Sequence, residues 1–373
     1  MTKLRRVILN GFKSIKTMDI ELRDLNVLIG ANGAGKSNLV SFFKMLNEMM
    51  GGQMGGRLQE YIGASGYAQS ILHFGPKITP QMDAQLEFEV DNAIDIYSMR
   101  LFHAGDTLLF ADEKLEYQQQ GFPMPKIISL GAGHKETKIR EAADAGDKVA
   151  RVAQVFRHLL THCRVYHFHD TSPTARVRLH SYIGDNRFLM SDAGNLAALL
   201  YRLQNENNGL TYRQIVSTIR LIAPFFDDFE IKPTGPQKQD VKLEWRHKGS
   251  DQVFGPHQLS DGTLRAICLI TLLMQPELPD LIVVDEPELG LHPYALNIIA
   301  ALFRKASLDT QVLITTQSSA FLNNFDLEDV IVANRVDMET QFTRLDATDW
   351  DAWLEEYSLG EVWEKNVIGG GPH

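Results

Sequence analysis

The sequence predicts an α/β fold in which helices cover both faces of a sheet. Three continuous apolar runs are typical of strands that are buried on both faces, namely 27–29, 281–284 and 312–315. Apolar residues at helical spacing lie beside or between these runs, over 39–46, 264–274 and 294–306. Buried strands that alternate with helices in this way form the layered sheets of α/β proteins.

The composition excludes several classes of protein. Of the 373 residues, 44% are hydrophobic and 23% are charged, which excludes a disordered, collagenous or coiled-coil chain. The 37 Lys and Arg residues against 47 Asp and Glu give a net charge of -10, so contact with nucleic acid needs a local basic patch. Cys163 and Cys268 lack the spacing of a disulfide scaffold or a cysteine zinc site. With no apolar run of about 18 residues and no signal-peptide pattern, we expect a soluble, cytoplasmic protein without a membrane segment.

The first part of the chain alternates like strands and contains one clear helix. Alternating apolar residues predict two antiparallel strands between Leu4 and Leu22, followed by the buried strand that ends at Gly30. The helix comes next, and the glycine-rich stretch 51–56 predicts a mobile loop after it. Period-two spacing over 84–118 then predicts further hairpin strands.

The middle of the chain is predicted to be mainly helical. The segment 127–147 is rich in Gly, Lys and Glu, which predicts an exposed connection. Apolar spacing predicts two helices and three strands here: helices at 147–160 and 194–224, and strands at 164–169, 229–231 and 241–245, the last two as a hairpin.

One motif has the form of a phosphate-binding loop. The sequence GANGAGKS, from Gly30 to Ser37, matches G-x-x-x-x-G-K-[ST] and lies between a buried strand and a helix. Glycines let the backbone wrap a phosphate with its N–H groups, and the helix N-terminus adds positive charge. Lys36 then reaches the β- and γ-phosphates, and the Ser37 hydroxyl ligates Mg²⁺. We expect eight residues to contact the nucleotide: Gly30, Asn32, Gly33, Ala34, Gly35, Lys36, Ser37 and Asn38.

Two further motifs add charge and helix-terminus chemistry. Asp285 and Glu286 follow the second apolar run at the strand edge where ligands bind in open α/β sheets. We expect Asp285 to hold Mg²⁺ and Glu286 to act as general base toward water, rather than both to form a solvated acidic turn. Ser260 and Gly262 open the helix near Leu264, where an anion can bind. An ordinary N-cap explains that fragment alone better, but its position before the acidic strand favours phosphate binding.

These three motifs, in this order, resemble those of the ABC-class ATPases in the soluble RecF/SMC-like branch. The segment NGFKSIKTMDIELRDLNVLIGANGAGKSNLV is similar to the N-terminal half of that family's head. QLSDGTLRAICLITLL is similar to its signature motif and helix, and LIVVDEPELGLHP to its Walker B motif and D-loop. VLITTQSSAFL lies where the family has its switch residue. The pattern is also similar to stand-alone predicted ATPases that share their head with the overcoming-lysogenization-defect (OLD) family but lack its nuclease domain.

The resemblance implies a P-loop NTPase fold of the ABC type, with a mixed sheet, an antiparallel β subdomain and a helical lobe. It implies four parts, which are the N-terminal part of the head at 1–130, a helical lobe at 131–240, the C-terminal part of the head at 241–345 and a Trp-rich tail at 346–373. In this family two heads sandwich two ATP molecules, which implies a homodimer or a higher oligomer. Ser260 and Gly262 of one protomer would contact the γ-phosphate held by Lys36 of the other.

Two positions depart from the family's pattern. Most members carry His at the switch position, where this chain has Gln317, which can donate a hydrogen bond but cannot carry a proton. We therefore expect slow ATP hydrolysis, with Glu286 and Gln317 as the catalytic residues. Asp261 replaces a common Gly and either lies near a phosphate or caps the following helix. The glutamine of the family's Q-loop is either Gln69 or Gln81.

Three other groups of residues have competing explanations. The first group either forms a metal site or lies in a structural strand, and its members are His162, Cys163, His167, His169 and Asp170. We favour the strand, because no third ligand shares the face of the histidines at 167 and 169. The second group is basic and either contacts a DNA backbone or, more commonly, forms a solvated face. Its members are Arg157, Arg164, Arg176, Arg178, His180 and Arg187. The third group shares one helical face, and its members are Trp350, Trp353, Leu354 and Tyr357. This face either docks onto the chain itself, which we favour, or anchors a partner protein. The glycines at 369–371 predict a frayed end.

The sequence thus favours a soluble ATPase whose ATP-driven dimerisation controls a separately encoded effector or acts at DNA. The resemblance alone implies a role in genome maintenance or phage defence. One alternative is the nucleotide-binding subunit of a transporter, although the segment between phosphate loop and signature is longer than such a subunit needs. The other alternative is a scaffold that closes on ATP with little turnover.

Overall fold

A computed structural model shows the fold. It describes residues 2–51, 58–90, 93–118, 124–146, 148–346, 350, 353 and 355–371. The chain divides into two compact units, one formed by Met1–Val165, Pro279–Val283 and Asp326–His373 and the other by Tyr166–Leu278 and Val284–Phe325. Except for Gly51, the predicted loop at 51–56 lies outside the described residues. The division into four parts stays a prediction.

The described residues form seventeen strands. In chain order they are β1 (Lys3–Phe12), β2 (Ile15–Glu21), β3 (Leu25–Ile29), β4 (Gln81–Val90), β5 (Ala93–Ala104), β6 (Thr107–Tyr117), β7 (Lys126–Gly131), β8 (Cys163–Tyr166), β9 (Ser181–Tyr182), β10 (Phe226–Phe229), β11 (Asp240–Val241), β12 (Trp245–His247), β13 (Val253–Phe254), β14 (Leu281–Asp285), β15 (Gln311–Thr316), β16 (Val330–Val336) and β17 (Glu339–Arg344).

Eleven α-helices lie within the same described ranges. They are α1 (Lys36–Met49), α2 (Leu58–Ala64), α3 (Tyr67–Ile71), α4 (Ile139–Asp144), α5 (Lys148–Thr161), α6 (Leu196–Asn205), α7 (Leu210–Ile222), α8 (Asp261–Met274), α9 (Pro293–Ala306), α10 (Ser319–Leu322) and α11 (Leu359–Glu364). Of the helices that the structure describes, none is both long enough and apolar enough to cross a membrane.

The first unit contains two kinds of strand pairing. Six antiparallel strands lie in the order β2-β1-β4-β5-β6-β7, and Val7 of β1 stands opposite both Ile20 and Leu86. Alternate residues of β1 are buried, as the period-two pattern predicts for a sheet with one covered face. Elsewhere in the unit, β16 pairs in parallel with β3 and antiparallel with β17. The phosphate loop starts directly after β3, a strand whose residues are all buried.

The second unit carries the helices around the acidic motif. Helix α7 packs against α6, α8 and α9, and their buried faces are apolar. Strands β14 and β15 end side by side, since the Glu286 N–H donates to the carbonyl of Thr315 at 3.0 Å. Both strands follow the predicted apolar runs, and both place their C-terminal residues at one edge. That edge carries the chemistry described below.

Several predicted elements differ from those observed. The segment 127–147 is more than a connection, because it contains β7 and α4; β7 is an exposed edge strand, so it lacks the buried alternation that marks a strand. The strand predicted at 164–169 ends at Tyr166. The helix predicted at 194–224 is broken at Asn208 and Gly209, both with positive φ. The predicted hairpin is shifted, and Phe229 of β10 stands opposite Trp245 of β12.

The C-terminal glycines are packed rather than frayed. Gly370 and Gly371 are buried, and their N–H groups donate to the side-chain oxygens of Asn334 at 2.6 Å and Asn366 at 3.0 Å. Upstream, Trp363 of α11 is buried, whereas Leu354 of the predicted aromatic face lies outside the described residues. The role of the tail stays a prediction.

Candidate functional site

Three of the eight residues that we expect to contact the nucleotide are exposed. Asn32, Gly33 and Ser37 are exposed, whereas Lys36 is 5% exposed. Gly33 and Gly35 have φ values of 79° and 105°, a region that glycine enters without steric cost. Gly35 also begins α1 without a side-chain cap. The helix therefore presents its first N–H groups unblocked by a capping side chain, as an anion site requires.

Close packing explains two of the glycines. A Cβ at Gly30 would lie 2.6 Å from the carbonyl oxygen of Ala333 in β16. A Cβ at Gly35 would overlap the Thr340 hydroxyl and lie 2.9 Å from Ser14 Oγ. The glycines of the motif therefore let the loop lie directly on the strands behind it.

The lysine of the motif is held over its own loop. Lys36 Nζ donates to the carbonyl oxygens of Gly30 at 2.5 Å and Ala31 at 3.2 Å. Carbonyl acceptors satisfy a buried ammonium, which would otherwise be costly to desolvate. The charge of Lys36 is thus fixed at the base of the loop.

Distant residues that the motif did not predict support the loop. Asn38 Nδ2 donates to Ser14 Oγ at 2.6 Å, and Ser14 Oγ lies 2.6 Å from Thr340 Oγ1. Thr340 Oγ1 in turn donates to the Ala34 carbonyl at 2.9 Å, and Arg335 donates to that of Gly33 at 3.2 Å. Ser14 lies in the segment that resembles the N-terminal half of the family's head, so the sequence provided a reason to expect it near the site. For Thr340 it provided none, because Thr340 lies about 300 residues away in the chain.

In the second unit, Asp285 and Glu286 are fixed at the end of β14. The Thr315 hydroxyl donates to Asp285 Oδ1, and His169 Nε2 donates to the Asp285 carbonyl at 2.8 Å. Glu286 has a φ of 44°, which a residue with a side chain adopts at a cost in free energy. The chain therefore leaves β14 through a strained turn at Glu286.

The switch segment contacts the predicted base. Gln317 Nε2 donates to Glu286 Oε1, so the structure brings these two predicted residues together. Glu288, which the sequence analysis missed, orders the same segment. Its Oε1 accepts from Thr316 Oγ1 at 2.6 Å and from the Gln317 N–H at 3.1 Å. Burial, aided by the charge of Glu286, raises the pKa of Glu288 above that of an ordinary glutamate.

The signature segment is an exposed helix start that packs on the D-loop. Ser260 Oγ accepts from the Thr263 N–H at 3.2 Å, so Ser260 is the N-cap of α8. Gly262 lies against the carbonyl of Gly290, where a Cβ would clash. Arg265 joins α8 to the D-loop by donating to the Leu289 carbonyl at 3.1 Å. The ordinary N-cap explanation of Ser260 is therefore correct locally, and its exposure leaves room for a ligand role.

The position of Asp261 follows from a buried arginine. Arg178 is 4% exposed and donates to Asp261 Oδ1 at 2.8 Å. Asp261 therefore lies in an ion pair in the first turn of α8, and the cap of that helix is Ser260. In the same basic group, Arg176 pairs with Asp192 at 3.1 Å. The buried Arg178 therefore fits neither the solvated face nor the DNA track, whereas the exposed Arg176 is balanced by a neighbouring acid.

The two units thus hold different parts of the predicted site. The first unit holds all eight phosphate-loop residues, and the second brings together Glu286 with Gln317 and, through Gly290, the signature with the D-loop. Gln69 and Asn38 line one cavity of the first unit, and the choice between the two candidate Q-loop glutamines stays a prediction. Gln81 starts β4.

Two family models and several solved structures match this arrangement. Residues 2–138 match a model described as an AAA ATPase domain, and residues 164–323 match one described as AAA domain, putative AbiEii toxin, Type IV TA system. An Smc head bound to the C-terminal winged-helix domain of ScpA is 14% identical, with a TM-score of 0.57 over 94% of this chain and 99% of that one. The chain is therefore an AAA-type ATPase with the fold of an Smc head.

Two further structures have the fold of this ATPase. An Smc head with an extended coiled coil, bound to the C-terminal domain of ScpA from Pyrococcus furiosus, has a TM-score of 0.58 at 14% identity, over 95% of this chain and 99% of that one. An Smc head with a coiled coil and joint from Pyrococcus yayanosii has a TM-score of 0.51 at 12% identity, with the same coverage. No curated protein sequence is similar enough to this ATPase to count as a relative. The predicted fold class, an ABC-type head with mixed and antiparallel sheets, is confirmed.

Proposed function

We propose that this ATPase binds ATP with Mg²⁺, hydrolyses it slowly in a head-to-head homodimer and uses that cycle to control a separately encoded partner protein. The observation that carries the proposal is the hydrogen bond from Gln317 to Glu286 at the end of β14. It places an amide donor on a carboxylate that is suited to act as a base. The phosphate loop supplies the complementary anion site.

The residues of the loop fit a triphosphate. Glycines with positive φ, the uncapped start of α1 and the buried ammonium of Lys36 form a cradle for an anion. Ser37 and Asp285 offer a hydroxyl and a carboxylate, which are the oxygen donors that Mg²⁺ prefers. When bound, Mg²⁺ neutralises charge on the phosphates.

Glu286 is the base in this mechanism. Gln317 holds one oxygen of the Glu286 carboxylate, which orients the other to accept a proton from water. Glu288 fixes the backbone of Gln317 and thereby the direction of its amide. Because an amide cannot carry a proton as a histidine can, turnover is slow.

The exposed signature supports the dimer. Ser260 and the start of α8 face solvent, as do Asn32 and Ser37 of the phosphate loop, so each set is accessible to a second copy of the chain. An ATP held between the two copies would gain contacts only in the closed state, as a ligand-driven switch requires. Two of the Smc heads to which this chain is similar are bound to ScpA in the solved structures, and we extend that principle to a partner protein here.

The test is phosphate release by the wild type and by Glu286→Gln. Loss of the base should lower kcat by roughly a hundredfold to ten-thousandfold, while ATP binding is retained. Glu277→Gln, an exposed acid of the same unit, is the matched control and should hydrolyse ATP like the wild type. If the wild type releases no more phosphate than Glu286→Gln, the protein is a scaffold that closes on ATP, and the proposed catalysis is wrong.

A further inference from the structure

Three ligand-forming side chains meet in the first unit, outside the phosphate loop and its supports. His158 and His162 lie one helical turn apart at the end of α5, and Asp280 directly precedes β14. One donor atom from each residue lies within 4.8 Å of the other two. His158 Nε2 is 3.4 Å from Asp280 Oδ2, and the two imidazole rings are 3.8 Å apart.

His162 and Asp280 each keep an atom that can bind a metal ion. His162 Nδ1 donates to the His158 carbonyl at 2.9 Å, so in the neutral ring the lone pair is on Nε2. Asp280 Oδ2 is shielded from water and, among the residues that the structure describes, accepts no hydrogen bond. A shielded carboxylate oxygen without a donor calls for a cation.

The backbone around the cluster is fixed before any ligand binds. The Leu281 N–H donates to the His162 carbonyl at 3.1 Å, which joins the end of α5 to the start of β14. Asn47 of α1 donates to the Cys163 carbonyl and anchors the same turn. His158 is 56% exposed on its side chain, so it is free to adjust its rotamer and the site is open to solvent.

The cluster differs from the metal site that the sequence suggested. Of the five residues considered there, only His162 takes part. Cys163 Sγ donates to the Leu159 carbonyl at 3.2 Å, and burial raises the pKa of its thiol, so it stays protonated. His169 is engaged with the Asp285 carbonyl in the second unit. The sequence could not supply His158 and Asp280 as partners, because about 120 residues separate them.

We propose that His158, His162 and Asp280 form a binding site for a transition-metal dication, with Zn²⁺ as its best-suited occupant. Two imidazoles and one carboxylate are typical ligands of Zn²⁺, and the open fourth position is taken by water. Mg²⁺ prefers an all-oxygen set, so this site and the nucleotide's cation are chemically distinct. The bound ion links α5 to the strand that carries the acidic motif at its far end. It therefore stabilises the folded chain.

The experiment uses the full chain without a histidine tag and without nucleotide, after treatment with a chelator. Zn²⁺ binding is measured by calorimetry and by the shift in Tm, and Co²⁺ is added as a spectroscopic probe of nitrogen ligands. We expect one Zn²⁺ per chain, a higher Tm with Zn²⁺, a visible Co²⁺ absorption band and no displacement by excess Mg²⁺. Asp280→Asn and His162→Gln should weaken Zn²⁺ binding by more than roughly tenfold and abolish the band.

The matched control is His180→Ala, which removes an exposed histidine elsewhere and should bind Zn²⁺ like the wild type. Circular dichroism of each chelator-treated variant verifies that it is folded. The proposal is overturned if wild-type protein gives no Co²⁺ band, or if Asp280→Asn and His162→Gln bind Zn²⁺ as tightly as His180→Ala. Because the readouts need no nucleotide, they are independent of the proposed ATPase cycle.

Discussion

The phosphate loop and the acidic cluster, which consists of Asp285, Glu286 and Glu288, carry opposite charge. In the first unit, glycine backbone and the buried ammonium of Lys36 form a positive site with few charged side chains. In the second unit, Asp285, Glu286 and Glu288 bring three carboxylates within four residues, and hydroxyl and amide donors hold them apart. In the proposed function, the first region holds an anion and the second handles a cation and a proton.

The two regions also differ in how they are supported. Thr340 and Ser14, which are far apart in the chain, hold the phosphate loop from behind. The acidic cluster is held by the adjacent end of β15, through Thr315 to Gln317. The comparison implies that binding and turnover can be separated by mutation, because different contacts support them.

Removal of the loop's ammonium should have the largest effect on ATP binding. In Lys36→Ala, a charge-assisted contact to phosphate is lost, which is worth about 1.5–3 kcal/mol. ATP affinity should fall by roughly tenfold to 150-fold, as measured by calorimetry. Lys44→Ala, an exposed lysine on the same helix, is the control and should bind normally. Equal affinities of the two variants would remove the distinction between the regions.

The switch residue offers a smaller effect on turnover alone. In Gln317→Ala, Glu286 loses the amide that orients it, so kcat should fall by roughly tenfold to a hundredfold. The KM for ATP should stay near the wild-type value in steady-state phosphate release. Gln214→Ala, on the exposed side of α7, is the control. A raised KM with unchanged kcat would show that Gln317 serves binding instead.

The buried carboxylate should give the smallest effect, and it depends on pH. Because burial raises the pKa of Glu288, the folded chain binds this proton more tightly than the unfolded chain does. The stability that this group contributes is present at low pH and is lost as pH rises above the ordinary glutamate range. Glu288→Gln cannot ionise, yet its amide oxygen can still accept from Thr316 and Gln317.

Urea unfolding at about pH 5 and about pH 8 measures this difference. The free energy of unfolding should fall less between the two pH values in Glu288→Gln than in the wild type. The exposed Glu277→Gln should keep the wild-type dependence on pH. An identical dependence in all three proteins would show that Glu288 is ionised in the fold at both values.

Strong apolar patterns predicted the elements that carry the motifs. Strands β3, β14 and β15 and helices α8 and α9 lie where the sequence places them, within a few residues. Their faces are buried, so their periodicity is strong. Strand β7 was missed because it is an exposed edge, and its residues have no reason to alternate.

The sequence predicted those parts of the site whose residues are adjacent in the chain. The phosphate loop and the Asp-Glu pair are contiguous, so their geometry follows from the chain itself. Thr340, Glu288 and the pair of Arg178 with Asp261 were missed, because each acts through contacts across a fold that the sequence does not display. The left-handed conformation of Glu286 likewise depends on its neighbours rather than on its type.

We propose that ATP joins two copies of this chain through the phosphate loop of one and the signature of the other. Analytical ultracentrifugation of Glu286→Gln with ATP and Mg²⁺ measures this association, because the variant should hold ATP without consuming it. We predict that it sediments as a dimer with ATP and as a monomer without it, and that adding Ser260→Arg to the same variant keeps it monomeric while ATP still binds. If Glu286→Gln binds ATP and still sediments as a monomer, the account is wrong.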